Sequence, residues 1–320
     1  MTPSREELYS RFKGLIENDA LMTKRVLVIG LGSFGSHIAV ELAQAAVGRF
    51  ALMDFDRLEA HNVVRHACFL KDVGRQKTDA VADLMMGKNP FAEVDKLNVD
   101  MNADLGLLAS EVEKSDLVIC ATDNNESRFN LMKVLLAHPK PCIFGRAVTR
   151  AEGGDVFRYR PGGACYCCLV GNHAFDAAAE EITDEVSARR NGRIAAYVSS
   201  EDADALVQVG LAADIAPITN MMVKLALVEL SKGTASGIAA LEDELTFNYY
   251  LWANRRERRH RNWAAFPTAG NRPTILRWYG AMIERNAGCS VCGAERMTLD
   301  EGEDIEARLV ELNGGADNGV

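Results

Sequence analysis

Gly30-Leu-Gly32-Ser-Phe-Gly35 is a G-x-G-x-x-G run. It comes after a β-branched stretch, Arg25-Val-Leu-Val-Ile-Gly30, and opens a helical one, which is the context a dinucleotide or mononucleotide loop requires. Such glycines let backbone N–H groups approach a phosphate at the positive end of a helix. Asp54 closes the next strand, where a carboxylate accepts hydrogen bonds from ribose hydroxyls. These features specify a nucleotide and not a reaction, and they would serve an NAD-linked oxidoreductase equally well. The residues from Asp54 onward discriminate: Asp54-Phe-Asp56, Asn62-Val-Val-Arg65, Asp72-Val-Gly-Arg-Gln-Lys77, Asn89-Pro90, and Thr122-Asp123-Asn124 with Arg128. Nicotinamide chemistry has no need of that series. Moving AMP onto a carboxylate does need triphosphate charge neutralised and a divalent cation, with little covalent help from the protein. Arg65 and Lys77 are the cations offered.

The order and spacing of these motifs resemble the ThiF/MoeB/HesA family, the adenylating domain shared with ubiquitin-activating enzymes, over residues 24 to 292. Arg150-Ala-Glu-Gly153, Cys165-Tyr-Cys-Cys168 and Cys289-Ser-Val-Cys292 continue the family pattern in order, and His66 departs from it, standing where the family carries glutamine. The resemblance implies ATP and Mg2+. It puts Gly30, Gly32 and Gly35 at the nucleotide and Asp54 on the ribose with Asp56 in support. Asn62, Arg65 and Lys77 are put on the phosphates and Asp123 on the magnesium ion, making Arg65, Lys77 and Asp123 the expected catalytic residues. The implied reaction is attack of a C-terminal carboxylate on the α-phosphorus, with pyrophosphate leaving. The implied partner is a ubiquitin-like or sulfur-carrier protein ending in Gly-Gly. A homodimer is implied as well, and Arg5 and Arg11 are the candidates for an arginine lent between copies. Thioester-forming relatives carry a cysteine in a crossover loop corresponding to about 170–206, and this chain has none between Cys168 and Cys289. It is therefore expected to stop at the acyl-adenylate or to hand it to a partner's thiol, with Cys68 as an internal alternative. Other readings are a related enzyme acting on a peptide or tRNA-bound carboxylate, an NAD-linked oxidoreductase, and a non-catalytic nucleotide-binding module.

The two C-x-x-C pairs, Cys165/Cys168 and Cys289/Cys292, offer four thiolates to a closed tetrahedral Zn2+. A thioredoxin-like redox pair is the rival, but two pairs bounding a long insertion suit a clamp better. Cys167 is expected to be a bystander or an alternate ligand and not a nucleophile, and Cys68, Cys120 and Cys142 buried small apolar side chains.

Strands expected at 25–30, 50–54, 94–99, 116–121 and 141–145 alternate with helices at 34–47, 77–88 and 127–137, which predicts an α/β, doubly wound, mostly parallel Rossmann-like sheet. Later strands at 245–252 and 274–279 predict an antiparallel C-terminal extension, and 214–230 a buried helix. A leading helix over 4–18 has Ser4 as N-cap and Glu7 three positions on. The expected organisation is an N-terminal helical extension (1–23), an adenylation domain (24–292) and an acidic, disordered tail (300–320). At 48% hydrophobic and 25% charged, the 320 residues suit a globular protein and argue against fibrous and disordered classes. A net charge of −9 disfavours nucleic acid and anionic membrane as partners. With no apolar run long enough to span a bilayer and a polar start from Met1 to Lys13, the expected location is cytoplasmic. Five arginines within 255–261 form either a solvated basic face or a docking site for an acidic partner surface or RNA.

Overall fold

The computed structural model describes residues 3–147, 151–171, 210–254, 268–269, 272–273 and 275–293. Arg150, the arginine-rich segment 255–261, the tail 300–320 and nearly all of the expected crossover loop lie outside them.

The order of elements is α1 (Arg5–Leu8), α2 (Asn18–Thr23), β1 (Arg25–Ile29), α3 (Gly35–Gln44), β2 (Arg49–Met53), α4 (Lys77–Lys88), β3 (Glu93–Leu97), α5 (Leu105–Lys114) and β4 (Leu117–Cys120). Next come α6 (Asn125–Ala137), β5 (Cys142–Ala147), β6 (Gly153–Tyr159), α7 (Tyr166–Val170), α8 (Ala212–Leu230), β7 (Tyr249–Ala253), β8 (Thr268–Ala269), β9 (Arg272–Pro273) and β10 (Arg277–Ala281). Eight strands make one sheet in the order β10-β7-β6-β5-β4-β1-β2-β3. β3, β2, β1, β4 and β5 run parallel, and β6, β7 and β10 add antiparallel. The α/β class, the parallel core and the antiparallel extension are as the alternating pattern predicts.

Alternation along the strands sorts the core into two layers. Val26, Val28, Phe50, Leu52 and Ile119 face α3, α4 and α8, while Leu27, Ile29, Met53, Val118 and Phe144 face α5, α6 and α7. All ten are buried, and each contributes about 1.5–3 kcal/mol over exposure. β1 sits between β2 and β4, so its carboxyl end is the point where the strand order reverses, the usual ligand crevice of such sheets.

Beyond α2, α7, β6, β8 and β9, none of which is in the expected set, two departures stand out. The leading helix does not run from 4 to 18. The Ser4–Glu7 capping box forms, but the helix ends at Leu8 and, after a 3-10 turn at Ser10–Phe12, Gly14 adopts φ +82, which no helix accommodates. The second is α5, a helix additional to the expected set; Asp104 caps it through the Leu107 N–H at 2.8 Å.

Behind the sheet lies a closed ion network. Arg158 of β6 and Arg160 just beyond it meet Glu229 of α8 and Glu242 of the 3-10 turn Gly237–Asp243, and Lys232 joins at 3.0 Å. The Arg158 and Glu229 side chains are 3% and 6% exposed. The facing guanidinium groups, acting against burial, hold the Glu242 carboxyl at about 2. Among the described residues no helix is long and apolar enough to cross a membrane.

Candidate functional site

β1 delivers the glycine loop to the crevice. Gly30 turns at φ +81, and a Cβ there would lie 2.8 Å from the Ala121 carbonyl oxygen of the neighbouring strand's exit. Gly35 packs rather than faces the crevice: its Cβ would sit 1.8 Å from the Gly30 oxygen, so only glycine lets α3 start this close to β1. A Cβ on Gly32 would meet no protein atom within 4 Å, and Gly32 borders a cavity of about 600 Å3.

That cavity gathers nearly every residue singled out by the motifs: Gly30, Gly32, Asp54, Asp56, Asn62, Arg65, Lys77 and Asp123 all line it, from separate segments of chain. Asp54, just past β2, is 9% exposed; its Oδ2 accepts from the Leu31 N–H at 2.6 Å and its Oδ1 from the Asp56 N–H at 2.8 Å. Burial pushes the Asp54 carboxyl up from the ordinary carboxylate range, while Lys77 and the two N–H groups pull it down. Lys77 opens α4 with its ammonium 2.6 Å from Asp56 and 3.9 Å from Asp54. Asn62 accepts the Glu59 N–H at 3.0 Å. Burial lowers the Arg65 guanidinium from its usual value, with Asp123 attracting in the opposite sense; it remains a cation. Asp123 stands exposed at the exit of β4, beside Asn124, which caps α6 through the Ser127 N–H at 2.8 Å. Its carboxylate is the hard oxygen donor a magnesium ion takes.

Further contributors lie beyond the motif residues. Asp100, Met101 and Asn102 line the cavity from the loop after β3; the same edge of the sheet that holds Asp54 and Asp123 is the signal that points to them. Arg146 lines its far side from β5, where its Nε donates to the buried Asp155 Oδ2 at 2.8 Å across the β5–β6 pair. Arg128, which belongs to the motif series, also borders the cavity, buried and donating to the Thr122 carbonyl at 2.6 Å and to Asn125 at 3.1 Å.

The four expected cysteines converge away from the cavity. Sγ–Sγ separations are 3.7 Å for Cys165–Cys168, 3.6 Å for Cys165–Cys289 and 3.4 Å for Cys168–Cys292, and all four atoms lie within 4.8 Å of one another. A tetrahedron with zinc–sulfur bonds of about 2.3 Å has edges of about 3.8 Å, so the donor set fits Zn2+. Cys167 points elsewhere, 3.9 Å from the Ser290 hydroxyl. Cys68 is 2% exposed and burial pushes its thiol up to about 12, which does not suit an acceptor nucleophile.

The ThiF family model matches residues 5–263. The molybdopterin-synthase adenylyltransferase of Escherichia coli (strain K12) is 35% identical over 153 residues, 47% of this chain and 60% of that one. The adenylyltransferase and sulfurtransferase MOCS3 of Aedes aegypti is 31% identical over 153 residues, 48% of this chain and 34% of that one. The match thus takes in less than two thirds of either relative. Among solved structures, E. coli MccB with ATP superposes with a TM-score of 0.57 at 19% identity, covering 86% of this chain and 68% of that one, a likeness of fold. With its glycine loop, acid and cations in family order and the family model spanning most of its length, the chain belongs to the ThiF family.

Proposed function

We propose that this chain is an ATP-dependent adenylyltransferase that activates the C-terminal carboxylate of a ubiquitin-like or sulfur-carrier protein as an acyl-adenylate. The observation that carries the reading is the convergence of Arg65, Lys77 and Asp123, from three separate segments, on the cavity that the glycine loop and Asp54 also line. A nicotinamide enzyme has no use for two cations and an acid there. The names of the adenylyltransferase relatives support the same chemistry.

In this reading Asp54 accepts the ribose hydroxyls, and its two fixed N–H contacts set its orientation. Gly32 N–H and the start of α3 receive phosphate oxygens. Lys77, drawn to the ribose side by Asp56, and Arg65, near Asp123, neutralise charge that grows on the leaving pyrophosphate, which is where electrostatic stabilisation lowers the barrier. Asp123 would hold Mg2+, which when bound supplies further neutralisation of the phosphates. The protein forms no covalent bond. It orients the incoming carboxylate, which approaches past Arg146, and screens repulsion between two anions.

The chain has no cysteine between Cys168 and Cys289, and Cys68 is buried, so the adenylate is released to a partner's thiol or to another nucleophile and not to a thiol of this chain. Cys165, Cys168, Cys289 and Cys292 hold structural Zn2+, tying the segment after β10 to α7. The same reading makes the protein a homodimer, with exposed Arg11, or Arg5 over the Phe91 ring at 5.2 Å, as the arginine lent between copies.

The test is mass spectrometry of small carrier proteins ending in Gly-Gly after incubation with the chain, ATP and Mg2+. Appearance of an AMP adduct on a C-terminus, lost when the two glycines are removed, supports the reading. Adduct formation only on peptides or on a tRNA-borne carboxylate would move the substrate class, and none on any carboxylate would overturn adenylation.

A further inference from the structure

We propose that His66 is a positioning residue for the nucleotide: a neutral two-point clamp that fixes Leu31 and, through Leu31, the carboxylate of Asp54. The inference rests on the reading of Asp54 as the ribose acceptor.

His66 lies on the cavity wall, 6% exposed. Its Nε2 is 2.7 Å from the Leu31 carbonyl oxygen, which can only accept, so Nε2 carries the proton and donates. Nδ1 is then an acceptor, and it takes the Cys68 N–H at 3.1 Å. Both ring nitrogens are committed by their neighbours to one neutral tautomer. Burial lowers the ring to about 4, and Lys77 and His37 add to the lowering, so it stays neutral through the physiological range.

Leu31 is held from both sides. Its carbonyl receives the imidazole, and its N–H donates to Asp54 Oδ2 at 2.6 Å. The other oxygen, Oδ1, receives the Asp56 N–H at 2.8 Å. The carboxylate plane is thereby fixed with lone pairs left for two hydroxyls. Arg65, by contrast, belongs to a stretch with ties of its own: His37 Nε2 meets the Arg65 carbonyl at 3.3 Å, and the Ala67 N–H donates to Ser36 Oγ, which donates to the Gly32 carbonyl at 2.7 Å. Removing the imidazole therefore loosens the ribose end of the site and leaves the phosphate end in place.

The experiment compares two probes, ATP and 2′,3′-dideoxy-ATP, by titration calorimetry on the full chain. The variants are His66→Ala and His66→Gln, whose amide again offers one donor and one acceptor. Wild type is expected to prefer ATP. His66→Ala should weaken ATP about fivefold to tenfold, the scale of one well-placed hydrogen bond, and move dideoxy-ATP by less than about twofold. His66→Gln should restore the preference. If His66→Ala does not fold, His66→Met, which fills the space without a donor, takes its place. Equal loss for both nucleotides, or no recovery with glutamine, would mean that His66 only holds the fold. Equal affinity of wild type for the two nucleotides would overturn the clamp whatever the adenylation result. A His66 effect confined to ATP, together with no adenylation of any carboxylate, would leave the clamp standing and remove only the proposed reaction.

Discussion

Two groups of charges in this molecule use the same residue types to opposite ends. Behind the sheet, Arg158 and Arg160 meet Glu229 and Glu242 with every carboxylate oxygen of Glu229 engaged: Oε2 takes both arginines, and Oε1 takes Arg160 and Lys232. The charges close on one another around a buried centre, Arg158 and Glu229, with Arg160, Glu242 and Lys232 forming a partly exposed rim. At the crevice, Asp56 meets Lys77 at 2.6 Å and Asp123 attracts Arg65, but these groups border an open cavity of about 600 Å3, and both Asp56 and Asp123 stand well exposed. A closed network fixes geometry, because a buried ion is costly unless its partners surround it. An open one keeps its field available to something that enters.

Asp123 is where the contrast between the two groups is most exposed to test. Asp123→Ala should reduce adenylation about 10²- to 10³-fold, the usual cost of one electrostatic contributor, with the urea midpoint unchanged because the side chain is exposed. Unchanged turnover would take Asp123 out of the machinery. Glu229→Gln should do the reverse. With Arg158 left short of negative charge in a buried site, unfolding free energy should fall by about 3 kcal/mol, while adenylation by the folded fraction stays at the wild-type rate. Loss of activity without loss of stability would show that the network serves the crevice after all.

A smaller effect comes from pH. The His66 ring is held at about 4 by burial against 6.5 when unfolded, so between these values the unfolded chain binds the proton more readily. The stability this supplies is complete above pH 6.5 and declines as pH falls toward 4, by about 2 kcal/mol at pH 5. Urea titrations at about pH 7.5 and pH 5 should show that decline in wild type, and a correspondingly smaller one in His66→Gln. The least costly change is Asp104→Ala, which removes the N-cap of α5, a side chain that belongs to neither charge group and does not line the cavity. A loss of about 1 kcal/mol in the same titration, with activity intact, sets the scale for an ordinary local contact.

The crevice is legible from sequence and the network is not, for a physical reason. Gly30, Asp54, Lys77 and Asp123 each sit at the end of an element whose apolar pattern marks it, so a strand followed by glycine or acid announces its own position. Arg158 and Glu229 are 71 residues apart, and neither has a local pattern that names the other. The same contrast runs through the cysteines. Their C-x-x-C spacing is readable, but the closure of Cys165 on Cys289, 124 residues later, belongs to the folded chain. Gly14 is masked in the sequence because the apolar spacing from Leu8 to Ile16 outweighs a single breaker, although φ +82 ends the helix there. His66 reads as a departure from a motif; its two committed nitrogens emerge only once Leu31 and Cys68 are placed around it.

If the open charges of the crevice activate a carboxylate with ATP, labelled pyrophosphate must exchange into ATP when purified chain, Mg2+ and a carrier protein ending in Gly-Gly are combined. We expect exchange that requires the carrier's free C-terminal carboxylate, disappears in Asp123→Ala and persists in Glu229→Gln. Exchange equally fast without any carboxylate partner, or no exchange with any carboxylate despite tight ATP binding, would contradict carboxylate activation at this site.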